Sequence, residues 1–352
     1  MLLENSRYLG QITQMITESE VDWKQLDGKS VMITGAAGML GSGMVDVLIA
    51  LNENHGSHIE IYALGRTESK LRARFGTYID RAYFHILPLD ISKEMQFGEK
   101  VDYIVHAASN ADPAMMAKYP VDTLLANVVG MDHVLELAKN CQSKRVLYVS
   151  SGEMYGQPDD SLKNGFYEGY CGYVDYSNPR SCYPAGKRSA EVLCQSYISQ
   201  YGLDAVIVRP CHCYGPTMTA TDSRAMSQFF RKVLNGEDIV LKSDGTLERS
   251  HCYVVDAVQA MYLVLLKSKI GEAYNIAERR SVARIRDIAG MIAAQKDKQV
   301  LFDLPDEIEK KGFSKVVRAV LDGTKLEGLG WKPMYPIEDG IHCTMKILEE
   351  IQ

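Results

Sequence analysis

The chain has no long apolar run. None approaches the ~18 residues of a membrane-spanning helix. Its first residues, MLLENSRYLG, hold no apolar signal core. It has no excess of positive charge either. Lys plus Arg is 39 against 45 for Asp plus Glu, a net charge of −6. Nothing general therefore draws it to phosphate backbones or anionic lipid, although a local basic pocket for a small anion stays open. Zinc-ribbon and redox spacings are also missing, although eight cysteines stand at 141, 171, 182, 194, 211, 213, 252 and 343. Cys211-His212-Cys213 has the look of a metal triplet. In a strand, however, neighbouring side chains point to opposite faces, so only the two cysteines share a side. No partners for a four-ligand site are evident. The expectation is a chain with reduced thiols in the cytoplasm, with no metal, no nucleic acid and no membrane partner. Internal repeats and low-complexity segments are absent as well.

What is present is the composition of a globular protein. Of the 352 residues, 46% are hydrophobic and 24% charged, enough for a sizeable core. Residues 1–28 form a polar extension in which Leu9, Ile12, Met15 and Ile16 fall at helical spacing. That helix packs either on the body or on a second subunit. From Lys29 the rhythm changes. KSVMITG, HIEIYALG, YFHILPLD, VDYIVHAAS, RVLYVSS and LDAVIVRP read as strands. GMLGSGMVDVLIALNEN, residues 121–140 and SCYPAGKRSAEVLCQSYISQYG read as helices between them. This alternation predicts a Rossmann-type α/β fold, a doubly wound parallel sheet. After Pro210 the rhythm breaks. Residues 211–352 are expected to form mainly a smaller C-terminal α/β substrate lobe, with some segments returning to the dinucleotide-binding domain of 29–210. Ligands bind in such a crevice, outside the carboxyl ends of the strands.

MITGAAGMLGSGM places Gly35, Gly38 and Gly41 directly after a strand and at the start of a helix. The first glycine permits the tight turn, the second lets a pyrophosphate approach the backbone, and the third lets the helix pack closely. The helix N-terminus then offers free N–H groups to phosphate. The second strand ends Ala63-Leu64-Gly65-Arg66-Thr67. It has no acid for the ribose 2′-OH of NAD, and Arg66 stands where a 2′-phosphate would lie, which leans toward NADP. Arg66 could instead stack on adenine or face solvent. Asp90 and Ile91 suit the adenine edge. The remaining expected cofactor contacts are Met39, Leu40, Ala107, Ala108, Tyr183, Lys187 and Pro210.

Tyr183-Pro-Ala-Gly-Lys187 puts a phenol and an ammonium four apart on one helix, so they share a face. An ammonium beside a phenol favours the phenolate. Tyrosine could then accept a proton from a sugar hydroxyl while hydride leaves the same carbon. Ser151, at the end of the fifth strand, could hydrogen-bond the same hydroxyl. The Tyr-rich segment Tyr167–Tyr183 is either an aromatic platform for base or sugar or a packed loop.

Together these residues resemble the extended short-chain dehydrogenase/reductase family of nucleotide-sugar epimerases, dehydratases and decarboxylases. The likeness runs from Lys29 to Glu349. It is carried by TGAAGMLGS, HAAS, YPVDTLLANVVG, VSSGEMYG, CYPAGK, VRPCHCYGP, SDGTLERSHCYVVDAV, GEAYNIA and LGWKP. The resemblance implies a catalytic trio of Ser151, Tyr183 and Lys187. It also implies a bracing role for Asn127 and a Cys211–Met218 loop between nicotinamide and substrate. Dehydratases of this family carry an Asp-Glu pair where this chain has Gly152-Glu153, so dehydration is disfavoured. UDP-glucuronate decarboxylases keep the Glu alone, and Glu153 matches it. NPRSCYPAGKRSAE looks like their active-site helix. Arg249 matches an arginine that contacts the diphosphate or the sugar, and Ser109, His212 and Arg249 are the expected substrate contacts. The chain departs from the pattern at three points: His212 replaces an Asn, Pro184-Ala185 replaces an acid-containing pair, and the ribose acid is missing.

The expected activity is transient oxidation of a nucleotide sugar at C4 by bound NAD or NADP, as in a UDP-glucuronate decarboxylase. The alternatives are a 4-epimerase, an NADPH-dependent reductase and a non-catalytic nucleotide-binding protein. A homodimer is expected.

Overall fold

The computed structural model describes residues 2–159, 162, 165–303 and 318–351. The trace opens with helix α1 (Ser6–Glu18), strand β1 (Ser30–Thr34), α2 (Met39–His55), β2 (Glu60–Leu64), α3 (Glu68–Phe75), β3 (Phe84–Leu87) and β4 (Tyr103–His106). It continues through α4 (Pro113–Lys118), α5 (Pro120–Asn140), β5 (Arg145–Val149), α6 (Cys182–Tyr201) and β6 (Ala205–Pro210). The later part holds β7 (His212–Tyr214), α7 (Ala225–Leu234), β8 (Ile239–Leu241), β9 (Glu248–Tyr253), α8 (Val254–Lys267) and β10 (Ala273–Ile276). It ends with β11 (Val282–Arg284), α9 (Ile285–Ala293), β12 (Val300–Phe302), β13 (Arg318–Ala319), α10 (Thr324–Leu329) and α11 (Ile337–Ile351).

Seven of these strands form one sheet in the order β10-β6-β5-β4-β1-β2-β3, with every neighbouring pair parallel. The order 3-2-1-4-5-6 within it is that of a Rossmann sheet. Strands β4 and β6 are buried along their whole length, and β1 and β5 at all but their first residue. A parallel sheet covered by helices on both faces demands such continuous apolar runs. The point of order reversal lies between β1 and β4, where the glycine loop leaves the sheet.

The chain after residue 210 serves two layers. β10 extends the large sheet beside β6, and α8 packs against α2. The central β9 of a smaller sheet pairs with β7, β11 and β13, and a separate parallel pair joins β8 to β12.

The N-terminal helix lies on the body of its own chain. Asn5 caps it by accepting from the Tyr8 N–H at 3.0 Å. Tyr8, Ile12, Met15 and Ile16 are buried against the main core, with α2 and α8 beneath. The Tyr8 hydroxyl donates to Asp46 Oδ2 at 2.9 Å, and Arg74 pairs with the same carboxylate. The guanidinium and the phenol offset part of the cost of burying this carboxylate, whose pKa burial still holds above its ordinary range.

Candidate active site

The side expected to take a cofactor is made from backbone. Gly35 has φ +69°, and a Cβ there would lie 2.8 Å from the Ala108 Cα and N. A Cβ on Gly41 would lie 2.3 Å from the Gly35 carbonyl oxygen. Only glycine allows that turn and that approach. Ala107 and Ala108 are held by the turn's neighbour: Thr34 accepts from both N–H groups, at its carbonyl (3.3 Å) and its Oγ1 (3.2 Å). The α2 helix follows Gly38, an N-cap with no side chain to cap it, and the N–H groups of Met39, Leu40 and Gly41 meet no acceptor among the described residues. Three free donors at a helix N-terminus suit a diphosphate.

At the far end of this surface Arg66 is exposed, with Nη2 3.4 Å from Asn110 Oδ1. Asp90 accepts from the Ser92 N–H and Oγ at 3.0 and 2.9 Å. Burial raises its pKa, but those bonds and the Arg66 charge outweigh it, so the carboxylate is held below its ordinary range. Ile91 is buried against Gly130 of α5, where a Cβ would meet its Cδ1 at 2.8 Å. Its side chain serves packing.

The side chains expected to react sit on α6. Tyr183 is 5% exposed and Lys187 2%. The Lys187 Nζ donates to the Val149 carbonyl at 2.8 Å and lies 4.9 Å from the Tyr148 ring centre and 5.6 Å from that of Tyr183. Burial lowers the ammonium pKa to about 7. The phenol behaves differently from the sequence expectation. Burial, and next the Glu153 carboxylate, push the Tyr183 pKa up, while a hydrogen bond with Ser151 and the charges of Arg224 and Arg180 pull it down. The physical reason for the correction is desolvation, which outweighs the nearby charges in a nearly sealed position.

Ser151 caps the short 3₁₀ turn Gly152–Tyr155, accepting from the Glu153 N–H at 3.1 Å. A Cβ on Gly152 would meet the Leu321 side chain at 3.0 Å. The turn is pinned from below. Ser150 Oγ donates to Glu191 Oε1 at 2.6 Å, and Arg209 binds both oxygens of Glu191, at 3.0 and 2.6 Å. Arg209 also donates to the Tyr155 hydroxyl at 2.8 Å, which donates to Asn275 Oδ1 at 2.7 Å. This buried network ties α6, β6 and β10 to the residues that carry Ser151 and Glu153. On the other flank Ser109 Oγ donates to Asn127 Oδ1 at 3.0 Å, and Asn127 packs where a Cβ on Gly186 of α6 would stand.

Charged side chains surround Tyr183. Glu153 pairs with Arg180 at 2.9 Å. Arg249 is buried, with Nη1 donating to the Glu248 carbonyl at 3.0 Å. Burial lowers its pKa and Glu153 opposes that. His212 opens on the cleft, yet close packing and the Arg249 charge lower its pKa. Arg224 acts on both Tyr183 and His212. Sequence reasoning missed Arg180, Arg224 and the Glu191–Arg209 pair. Arg180 lies within NPRSCYPAGK and was within reach. Glu191 closes NPRSCYPAGKRSAE and Arg209 lies in VRPCHCYGP, so they too were within reach, whereas Arg224 comes from a segment with no motif. Pro210 ends β6, and the Cys211–Met218 stretch begins with the Cys211 N–H donating to the Ile276 carbonyl at 3.0 Å. Among the described residues no group of three His, Cys, Asp or Glu side chains could hold a metal, and no helix is long and apolar enough to cross a membrane.

The sequence model of the NAD dependent epimerase/dehydratase family matches residues 31–277. UDP-glucuronic acid decarboxylase 6 of Arabidopsis thaliana is 30% identical over 313 residues, covering 88% of this chain and 86% of that protein. UDP-glucuronic acid decarboxylase 1 of Danio rerio is 28% identical over 351 residues, covering 96% and 79%. The crystal structure of UDP-glucose 4-epimerase from Thermotoga maritima, determined with UDP-glucose, shares the fold. Its TM-score is 0.76 at 22% identity, with 92% of this chain and 99% of that one covered.

Proposed function

The chain belongs to the NAD dependent epimerase/dehydratase family, and we propose that it decarboxylates a UDP-hexuronate after transient oxidation at C4. One observation carries this reading. Glu153, paired with Arg180 and close to Arg249, has glycine rather than a second acid before it. An acid is needed there to expel water, so dehydration has no donor. Guanidinium groups suit a substrate with a diphosphate and a carboxylate. The decarboxylase relatives support the same choice.

When bound, the nicotinamide supplies hydride acceptance and return at C4. Tyr183 takes the C4 hydroxyl proton, and Ser151 orients that oxygen. Arg180 and Arg224 favour the phenolate against burial, and Lys187 holds its place through the Val149 carbonyl. With C4 a ketone, the C6 carboxylate is β to a carbonyl. The C5–C6 bond breaks, CO2 leaves, and the electron pair becomes a C4–C5 enolate. Glu153, or a water it orients, returns a proton to C5.

In D2O, UDP-glucuronate should give a product one CO2 lighter with one deuterium at C5. A 4-epimerase would leave mass unchanged and admit no deuterium. Inert uronates together with epimerisation of a neutral nucleotide sugar would reject decarboxylation.

A second reading, an NADPH-dependent reductase, is favoured by Arg66 and Asn110 at a β2 end with no acid. The cofactor that co-purifies, and its redox state, separates the two. We further propose a homodimer. Val121 and Leu125 of α5 and Val192 of α6 stand exposed at 66%, 47% and 64%, on two helices that pack together. Light scattering at micromolar concentration tests it. Eight free cysteines support a reducing, cytoplasmic setting.

A further inference from the structure

We propose that Tyr148 is a positioning residue for proton transfer: its ring face holds the Lys187 ammonium in place beside Tyr183. The inference rests on the proton transfer of the proposed function, which gives Tyr183 and Lys187 their task. The sheet sets up the arrangement. Thr34 of β1 stands beside His106 of β4 in the strand register, and His106 beside Tyr148 of β5. In-register neighbours on adjacent strands point to the same face, so these side chains form one polar row. Thr34 Oγ1 lies 2.8 Å from His106 Nδ1, and the His106 ring stacks on that of Tyr148 at 5.7 Å with 20° between the planes. Thr34 also accepts from the Ala107 and Ala108 N–H groups. The row therefore begins at the turn expected to take a cofactor and ends at Lys187.

Tyr148 is wholly buried, yet its hydroxyl meets no partner among the described residues. A buried donor left unpaired costs stability, so the hydroxyl does not explain the residue. What Tyr148 supplies is its ring. Lys187 Nζ lies 4.9 Å from the ring centre, within the range of a cation–π contact. An ammonium has three N–H donors, and the acceptor it meets among the described residues is the Val149 carbonyl. Consecutive residues of β5 thus hold it, one by its carbonyl and one by its ring. The other groups facing Lys187 leave that role open. Glu191, one turn further along α6, favours the ammonium but is itself bound by Arg209 and Ser150. His106 is neutral, because burial and then the Lys187 charge lower its pKa to about 3. Burial also opposes ionisation of Tyr183 and Cys194. The Tyr183 ring lies farther off than that of Tyr148, at 5.6 Å. A desolvated cation–π contact is stronger than an exposed one, and Lys187 is buried.

The test reads Lys187 itself and needs no substrate. Protein carrying 13C at the lysine Cε atoms is titrated by NMR, with Lys187→Met locating the signal. Native protein is compared with Tyr148→Phe, with the same variant carrying a pentafluorinated ring introduced through a suppressor codon, and with Tyr148→Leu. Melting curves check each fold, and Tyr148→Phe should melt at or above native because it strands no partner. We expect the Lys187 midpoint to lie near pH 7 in the native protein and to stay there in Tyr148→Phe. Fluorination keeps the shape of the ring but withdraws charge from its face, so the midpoint should fall by about 0.5–1.5 pH units. With a nucleotide sugar that the native protein turns over, kcat rather than KM should fall in the fluorinated variant, while the plain Phe ring keeps both near native. Equal midpoints with and without fluorine overturn the proposal, since a ring that only fills space is indifferent to its charge. A midpoint that already moves in Tyr148→Phe places the effect on the hydroxyl and overturns it too. Should the fluorinated variant not fold, Tyr148→Leu decides: a lower midpoint supports the proposal, and an equal or higher one overturns it. A native protein that turns over no nucleotide sugar would remove the proposed reaction, and the Lys187 midpoint would still decide whether the Tyr148 ring holds the ammonium.

Discussion

The two halves of the cleft are built from different materials. The proposed cofactor half is backbone: Gly35, Gly38 and Gly41 clear a path, and the N–H groups at the start of α2 are left free. The proposed sugar half is side chain: Ser151, Glu153, Arg180, Tyr183 and Arg249 arrive on turns, a helix and a strand from separate parts of the sequence. A backbone site tolerates no added atoms but is indifferent to most neighbouring side-chain chemistry. A side-chain site depends on every long rotamer being held, which is why the Ser150–Glu191–Arg209–Tyr155 network lies beneath it.

The contrast can be sharpened first at Tyr183. Tyr183→Phe should lose roughly 10²–10⁴-fold in turnover. Dinucleotide affinity and melting temperature should stay near native. A folded variant with near-native turnover would break the assignment.

The converse substitution is Gly41→Ala. Its Cβ would fall 2.3 Å from the Gly35 oxygen, so the loop must shift. Strain of this kind costs about 1–3 kcal/mol. Dinucleotide affinity should fall by an order of magnitude or more while UDP still binds, and calorimetry with both ligands reads the difference. Unchanged dinucleotide affinity would show that the loop is not the phosphate site.

Acid should act on both halves through buried histidines. His106, bonded to Thr34 beneath the glycine loop, and His251, on β9 beside Arg249, each have pKa values lowered to about 3, chiefly by burial. The unfolded chain binds their protons near pH 6.5 and the folded chain does not. Their contribution is therefore full above that pH and is lost as pH falls toward about 3. Relative to native protein, a folded His251→Asn variant should lose less stability between pH 7 and about 4.5, by on the order of 2 kcal/mol. Urea melts at the two pH values check it. Parallel losses would mean that His251 titrates normally.

The smallest effect is expected at Arg66, an exposed side chain at the rim of the cofactor half. Arg66→Ala should reduce any preference for NADP(H) over NAD(H) by several-fold, since an exposed charge pair is worth about 1 kcal/mol or less. Tighter binding of NAD(H) by the native protein would defeat the premise.

Much of this was legible in the sequence by itself. Apolar runs of period suited to a covered parallel sheet, alternating with helices, determined the Rossmann layer. The glycine trio marked the tight turn between β1 and α2, because backbone space can only be made by leaving side chains out. Tyr183 and Lys187 were legible because helical spacing places them on one face. Only the tertiary structure decided the rest. Ala273–Ile276 return to the sheet as β10 because an open edge beside β6 needs a partner, which local pattern does not announce. The N-terminal helix chose its own body because Tyr8 meets Asp46 and Arg74 there. The phenol of Tyr183 is pushed up rather than down because burial is a property of the whole packed molecule. Arg180, Arg224 and Arg249 converge on one cleft from three segments. Long side chains from distant positions meet only where folding brings their backbones together, and no spacing along the chain records that distance.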